Sequence, residues 1–285
     1  MSLNRRQPAL HAELVARACT IIALGIAMVM RLPAQQAQPS AATPLVIAVE
    51  DAADLWSRPD GTGFANDVVT AAFRAAKVSI RLNVVPYARC KQLVVEGGVV
   101  ACLSMSHDAS AASAVRFPSI PLFVCNTELL ENAAHPLSSN TLSTLAARTR
   151  VGVVLGYEYP PAVDSARRSG RIILESSPSE AILMRKLAAG RVDAALMNLN
   201  EIKTLAYVAS RDGLDATIVS RGKLGALESY VGFSQRNVQS GAALAAFELG
   251  MKSIRASGEL AAITKRWADS SRLETRKKLT KGRGA

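Results

Sequence analysis

With 285 residues, 49% of them apolar and few aromatic, the chain has material for one large core or two ordinary ones, which excludes a disordered or low-complexity protein. Its formal net charge of +11 is not that of a basic folded surface: residues 1–43 hold four Arg and one Glu, residues 272–285 hold six Lys or Arg and one Glu, and the body between them carries only +3. Charge gathered at the two ends, without interleaved aromatics, argues against a nucleic-acid-binding stripe.

The first segment reads as a leader. Arg5, Arg6 and Arg17 form a basic stretch, an apolar run follows from Cys19 to Met30, and small residues appear at Ala34, Ala37 and Ala42. This is the pattern of a secretory signal peptide, with an apolar run shorter than the ~20 residues of a typical spanning helix. The long basic stretch and Arg31 keep a retained anchor as the alternative. The run from Pro44 to Glu50 reads as a buried parallel strand with Glu50 at its C-terminal mouth. Asp60–Gly63 is a turn, and Phe64, Val68, Val69, Ala72, Phe73 and Ala76 at helical spacing predict a helix over 64–77.

A strand is expected over 80–86, then a helix from Tyr87 closed by Gly97, then a strand over 99–106. The stretch 119–130 is extended and crosses into the second half. There the pattern predicts a strand over 150–157, a helix start near Pro160-Pro161, a strand over 171–174 and a helix opening at Ser179. A strand over 192–197 and a helix over 200–210 follow. A strand over 229–234 returns to the first half, helices over 242–254 and 259–267 close it, and the basic residues from Arg272 read as a solvated, disordered tail. Strands alternating with helices argue for parallel α/β sheets.

One phrase occurs twice. Leu93-Val-Val-Glu-Gly97-Gly-Val-Val-Ala-Cys102-Leu and Lys186-Leu-Ala-Ala-Gly190-Arg-Val-Asp-Ala-Ala195-Leu both read as a helix end, a glycine that closes it and a short strand. One such unit in each half predicts two lobes of similar design with a cleft between them. After export, Cys90, Cys102 and Cys125 would form one disulfide and leave one thiol, with the pairing open. His11, His107 and His135 are too scattered for a metal site, so neither a metal nor a cofactor is expected.

Several phrases are spread over residues 44–268: Leu45–Glu50, Gly63-Phe64 with Asp67, Tyr87, Gly97, Phe117, Gly156, Gly190-Arg-Val-Asp193-Ala-Ala, and Gly258-Glu-Leu-Ala-Ala-Ile263-Thr-Lys-Arg-Trp267. Their order and spacing resemble the bacterial extracellular solute-binding proteins of family 3, the amino-acid type that serves ABC transporters. The resemblance implies a two-lobed, periplasmic-binding-protein-like (type II) α/β fold with a hinge. Residues 44–128 and 223–271 would form lobe 1 and residues 129–222 lobe 2, with 1–43 as signal peptide and linker and 272–285 as the tail.

Carried over position by position, it implies a ligand pocket of Glu50, Tyr87, Ser104 and Ser106 from the first lobe. The second would contribute Gly156, Tyr157, Glu158 and Asn198. Trp56 and Arg89 join by proximity to these positions. Tyr87 offers a ring for packing or for a cation, the serines offer hydroxyls, and Gly156 permits close backbone approach ahead of a helix N-terminus.

Two departures from the family pattern bear on the ligand. The arginine that pairs with an amino-acid carboxylate would fall at Ala111, and the acid that holds the amino group is replaced by Asn198. Glu50 and Glu158 remain to hold a cation, and Arg89 or Arg116 could replace the lost positive charge. The expected protein is a periplasmic, monomeric, non-enzymatic module that captures a small polar solute and delivers it to a membrane permease. The alternatives are a dehydratase-like enzyme on the same scaffold and a sensor or accessory protein. No histidine falls at a predicted strand mouth, and no nucleophile–base pair is visible.

Overall fold

The computed structural model describes residues 43–107 and 111–282, so the leader, its apolar run and Arg31 lie outside the described residues. The first apolar run forms β1 (Leu45–Glu50), flanked in parallel by β2 (Ile80–Val85) and β3 (Ala101–Met105). Its last four residues are buried, as expected for a strand covered on both faces. Helix α1 (Phe64–Ala75) connects β1 to β2, and α2 (Tyr87–Glu96) connects β2 to β3.

The second half repeats this plan. There β6 (Thr149–Val154) lies between β7 (Ile172–Ser177) and β8 (Ala194–Leu199), both parallel to it. Helices α3 (Pro161–Arg168) and α4 (Glu180–Ala188) make the crossovers, and α5 (Leu205–Arg211) follows β8.

The repeated phrase is repeated geometry. Gly97 and Gly190 have φ of 87° and 68°, values that cost glycine little. After each, the next residue donates its N–H back to a carbonyl of the last helical turn, Gly98 to Leu93 and Arg191 to Lys186, both at 2.9 Å. The strands that follow pair in register, Ala101 with Ile47 and Ala194 with Val151.

Two long strands join the halves. β5 (Phe123–Asn132) and β9 (Ile218–Ser234) pair antiparallel with each other; β5 continues onto β8, and β9 onto β3 and the short β4 (Val115–Arg116). The sheet order is β2-β1-β3-β9-β5-β8-β6-β7, with β4 off this path. The return strand therefore begins eleven residues before the expected 229, at Ile218. Its first part, including Ser220, Arg221 and Lys223, is exposed and held by backbone pairing to β5, so it leaves no apolar signature.

Helices α6 (Ser240–Ala256) and α7 (Glu259–Gly282) pack on the first half. The disordered tail expected from Arg272 is corrected: the helix runs through it to Gly282. Its continuation is anchored where Ser271 is buried and the Glu274 carboxylate accepts from Arg58 Nη2 at 3.2 Å and Tyr207 Oη at 3.3 Å. The helix expected over 200–210 begins later, at Leu205, because the Thr204 hydroxyl caps it and the Asn200 side chain holds the preceding turn. No described helix is long and apolar enough to cross a membrane.

Cys90 on α2 is bridged to Cys102 on β3, and Cys125 on β5 is a buried free thiol pushed up to about 11 by burial. The bridge ties the helix that begins at Tyr87 to the strand that carries Ser104. Cross-links of this loop length add about 2–4 kcal/mol. Reduction, or the double variant Cys90→Ser/Cys102→Ser, is expected to lower the unfolding free energy by about that amount in urea melts. An unchanged midpoint would show that the bridge contributes nothing to stability.

Candidate functional site

The C-terminal ends of the parallel strands in the two halves face one another, the usual place for ligands in open α/β sheets. From the first half come Glu50, the last residue of β1; Tyr87, the first residue of α2; and Ser104 and Ser106 at the end of β3. Ser104 takes a left-handed φ of 61° at a register shift between β3 and β9, an irregularity that re-aims the strand end. From the second half come Gly156, Tyr157 and Glu158, which follow β6, and Asn198 near the end of β8.

These groups enclose a cavity of about 20 Å³, lined by Glu50, Trp56, Tyr87, Ser104, Ser106, Tyr157, Glu158 and Asn198 together with Cys125 and Ser229. The space admits about one water molecule. Any larger guest requires the halves to part. Cys125 and Ser229 lie on the crossing strands, which the sequence reading treated only as connections. Gly156 presents its carbonyl beside the cavity rather than lining it. Arg89 stands apart, exposed on α2, where it donates to Gln92 Oε1 at 2.8 Å and faces Glu96. Arg116 is likewise exposed, on β4.

Direct bonds cross between the halves. Tyr157 Oη donates to Glu50 Oε1 at 2.5 Å and lies 3.3 Å from Glu180 Oε1. Tyr87 Oη donates to Glu158 Oε2 at 2.8 Å, and its ring meets that of Tyr157 edge-on. Lys91 Nζ donates to Glu158 Oε1 at 2.8 Å and to the Gly156 carbonyl at 3.2 Å. Trp56 Nε1 donates to Asn200 Oδ1 at 3.2 Å. The Trp56 ring also covers the ammonium of Lys203 at 3.5 Å, which pairs with Glu180 at 2.5 Å, both side chains fully buried.

Asn198 accepts from Thr127 Oγ1 at 2.7 Å and donates to the Glu158 carbonyl at 3.3 Å. It thereby fixes the backbone next to Tyr157. Glu180, Lys203 and Lys91 were not singled out from sequence. Glu180 opens a helix and Lys203 sits in a polar turn, positions that read as solvated until the fold buries them.

The electrostatics follow from burial. Glu50 is pushed up to about 8 by desolvation, opposed by the Tyr157 hydrogen bond and reinforced by nearby Glu180. Burial also raises Glu158, against the pull of the Lys91 ammonium. Tyr157 is raised well above its ordinary value by burial between carboxylates. Burial and the nearby Glu180 thus favour the neutral form of Glu50.

Tyr87 is 4% exposed and packs with Cys90 and Val94, so truncating it would open the core, and Tyr87→Phe is the cleaner probe of its hydroxyl.

Because the folded value of Glu50 lies above its ordinary 4.5, its stabilising contribution is full below that pH and is lost as pH rises toward 8. Thermal melts should show stability falling across this window, by up to ~1.4 kcal/mol per pH unit from this group alone. Glu50→Gln keeps an acceptor for Tyr157 and should flatten that decline, with its largest gain near pH 8. Parallel pH profiles for the variant and parent would refute the assignment.

No family model and no curated protein sequence matches the chain. Solved structures match its fold. A histidine kinase sensor domain with similarity to periplasmic binding proteins superposes with a TM-score of 0.68 at 16% identity, covering 79% of this chain and 95% of its own. An ancestral arginine-binding protein bound to arginine gives 0.66 at 17% identity, covering 79% and 97%. The VFT2 domain of BvgS from Bordetella pertussis gives 0.63 at 14% identity, covering 78% and 92%. The chain thus has the two-lobed, periplasmic-binding-protein-like α/β fold, its lobes joined by β5 and β9.

Proposed function

We propose that this chain is a solute-binding protein of the family 3 type that works in the periplasm as a monomer. It captures a small polar solute, an amino acid or a related compound, between its lobes and delivers it to an ABC-transporter permease. The observation that carries this reading is the convergence of carboxylates, phenols and an amide from both halves on one cavity at the strand ends. A guest held there touches both halves at once, so its binding free energy favours their closure.

In this reading the crossing strands serve as the hinge, with residues 44–128 and 223–271 as lobe 1 and 129–222 as lobe 2. The Cys90–Cys102 bridge fits an oxidising compartment. Similar folds bind amino acids: arginine or glutamine in ancestral arginine-binding proteins, and L-glutamate in the GluR0 ligand-binding core from Nostoc punctiforme.

Binding is favoured over catalysis by how the acids are held. Of the two cleft acids, Glu158 is engaged by Tyr87 and Lys91 and Glu50 by Tyr157, and among the described residues no nucleophile–base pair stands beside either. A second reading, a sensor lobe without transport, is favoured by the direct bonds from Tyr157 to Glu50 and from Tyr87 and Lys91 to Glu158. Groups of the chain itself bridge the halves where a solute would.

A thermal-shift screen of the purified protein over amino acids, amines, sugars and carboxylates tests both readings. A ligand at a hundred times its Kd adds ~2.7 kcal/mol to stability. A hit that is not consumed, and whose affinity falls up to about tenfold in Tyr87→Phe, is the expected result. Consumption of the hit would make the protein an enzyme. A silent panel would favour the sensor reading.

A further inference from the structure

We propose that the cleft contains a primary-ammonium subsite whose present occupant is the side chain of Lys91, an internal ligand that a small alkylamine displaces. This deepens the solute-binding reading and rests on it for the identity of the cleft. Lys91 is on α2 in the first half, and its acceptors, Glu158 Oε1 and the Gly156 carbonyl, belong to the second. Its ammonium also lies 5.9 Å from the centre of the Tyr87 ring. A carboxylate, a carbonyl and an aromatic ring are the partners that a three-donor –NH₃⁺ group seeks.

The acceptors are held in place whatever fills the space between them. Tyr87 Oη fixes the other oxygen of Glu158, and Asn198 Nδ2 fixes its carbonyl. Gly156 has a left-handed φ of 87°, and a Cβ there would come 3.2 Å from the Ala88 backbone. Only a glycine lets this turn come so close to α2, and that approach brings its carbonyl within reach of Lys91. Burial disfavours a charged Glu158, and a cation at this point opposes that cost.

The same surroundings select against a carboxylate on the guest. Among the described residues no arginine lines the cavity, and the neighbouring Lys203 ammonium is committed to Glu180 beneath Trp56. A ligand carboxylate placed at these acceptors would face the Glu158 carboxylate and the Gly156 carbonyl, neither of which can donate to it. The class that fits is therefore an amine without a carboxylate. Because Lys91 is tethered, it competes at high effective concentration, and the native protein binds free amines weakly until Lys91 swings out.

The test is chemical rescue. Lys91→Ala removes the internal ligand and leaves the acceptors, whereas Lys91→Met removes the charge but keeps the space filled. The melting temperature of Lys91→Ala should fall, and n-butylammonium should restore at least half of the loss. The parent and Lys91→Met should respond little, and tetramethylammonium and butyrate should rescue neither variant. If Lys91→Ala does not fold unaided, the yield of folded protein on refolding with and without n-butylammonium reads the same site.

No rescue of Lys91→Ala, or equal shifts in all three proteins, overturns the proposal. Should Lys91→Ala ignore amines while the solute screen finds a ligand for the parent, the subsite falls and the solute-binding reading stands. Rescue of Lys91→Ala beside a silent screen of the parent keeps the subsite and favours the sensor reading, with Lys91 as its standing occupant.

Discussion

The antiparallel ladder between β5 and β9 is the constraint on which the rest of this molecule depends. It runs from Phe123 opposite Ser229 to Asn132 opposite Ile218, and each strand continues into a different half. Backbone hydrogen bonds are costly to break when buried, so the halves cannot separate. The ladder's register shifts twice between Thr127 and Leu130, where an extra residue bends a strand and increases its twist. The floor of the cleft is laid by the same ladder, through Cys125 and Ser229.

Above that floor polar groups of the two halves meet beside the edge-on rings of Tyr87 and Tyr157. Buried carboxylates from both sides, Glu50, Glu158 and Glu180, are each engaged by a phenol or an ammonium. A buried ion pair is weakly stabilising compared with an apolar contact of the same size, yet breaking one is expensive. An interface built this way is specific in geometry and modest in net energy. Burial favours the neutral form of Glu50, because a charge held out of water beside another carboxyl group is costly.

A second bridge lies outside the cleft. Arg58 pairs with Asp54 at 2.5 Å in the first half, and Tyr207 of the second half donates to Asp54 at 2.7 Å. Glu274, on the long C-terminal helix, reaches both Arg58 and Tyr207. Burial beside Asp54 raises the Tyr207 phenol well above its ordinary value, so it stays a donor. The helix that closes the first half therefore also touches the second through Glu274.

The local elements were legible from sequence because each depends on a few neighbouring residues. The left-handed glycines at 97 and 190, the alternation of strand and helix, and the run ending in Glu50 together determined two similar α/β halves. Most of the residues placed at strand mouths by family likeness do meet around one cavity, since the ends of parallel strands necessarily face the same side. Arg89 does not join them, because a helix turns its side chains by about 100° per residue and this one faces solvent.

Tertiary structure alone decided the rest. The pairing of Cys90 with Cys102, the length of β9, the continuation of the last helix, and the roles of Lys91, Glu180 and Lys203 all follow from residues far apart in the chain. A charged side chain looks the same in a sequence whether water or a buried partner satisfies it. Only the packing of one half against the other removes the water and so separates a solvated lysine from a buried, paired one.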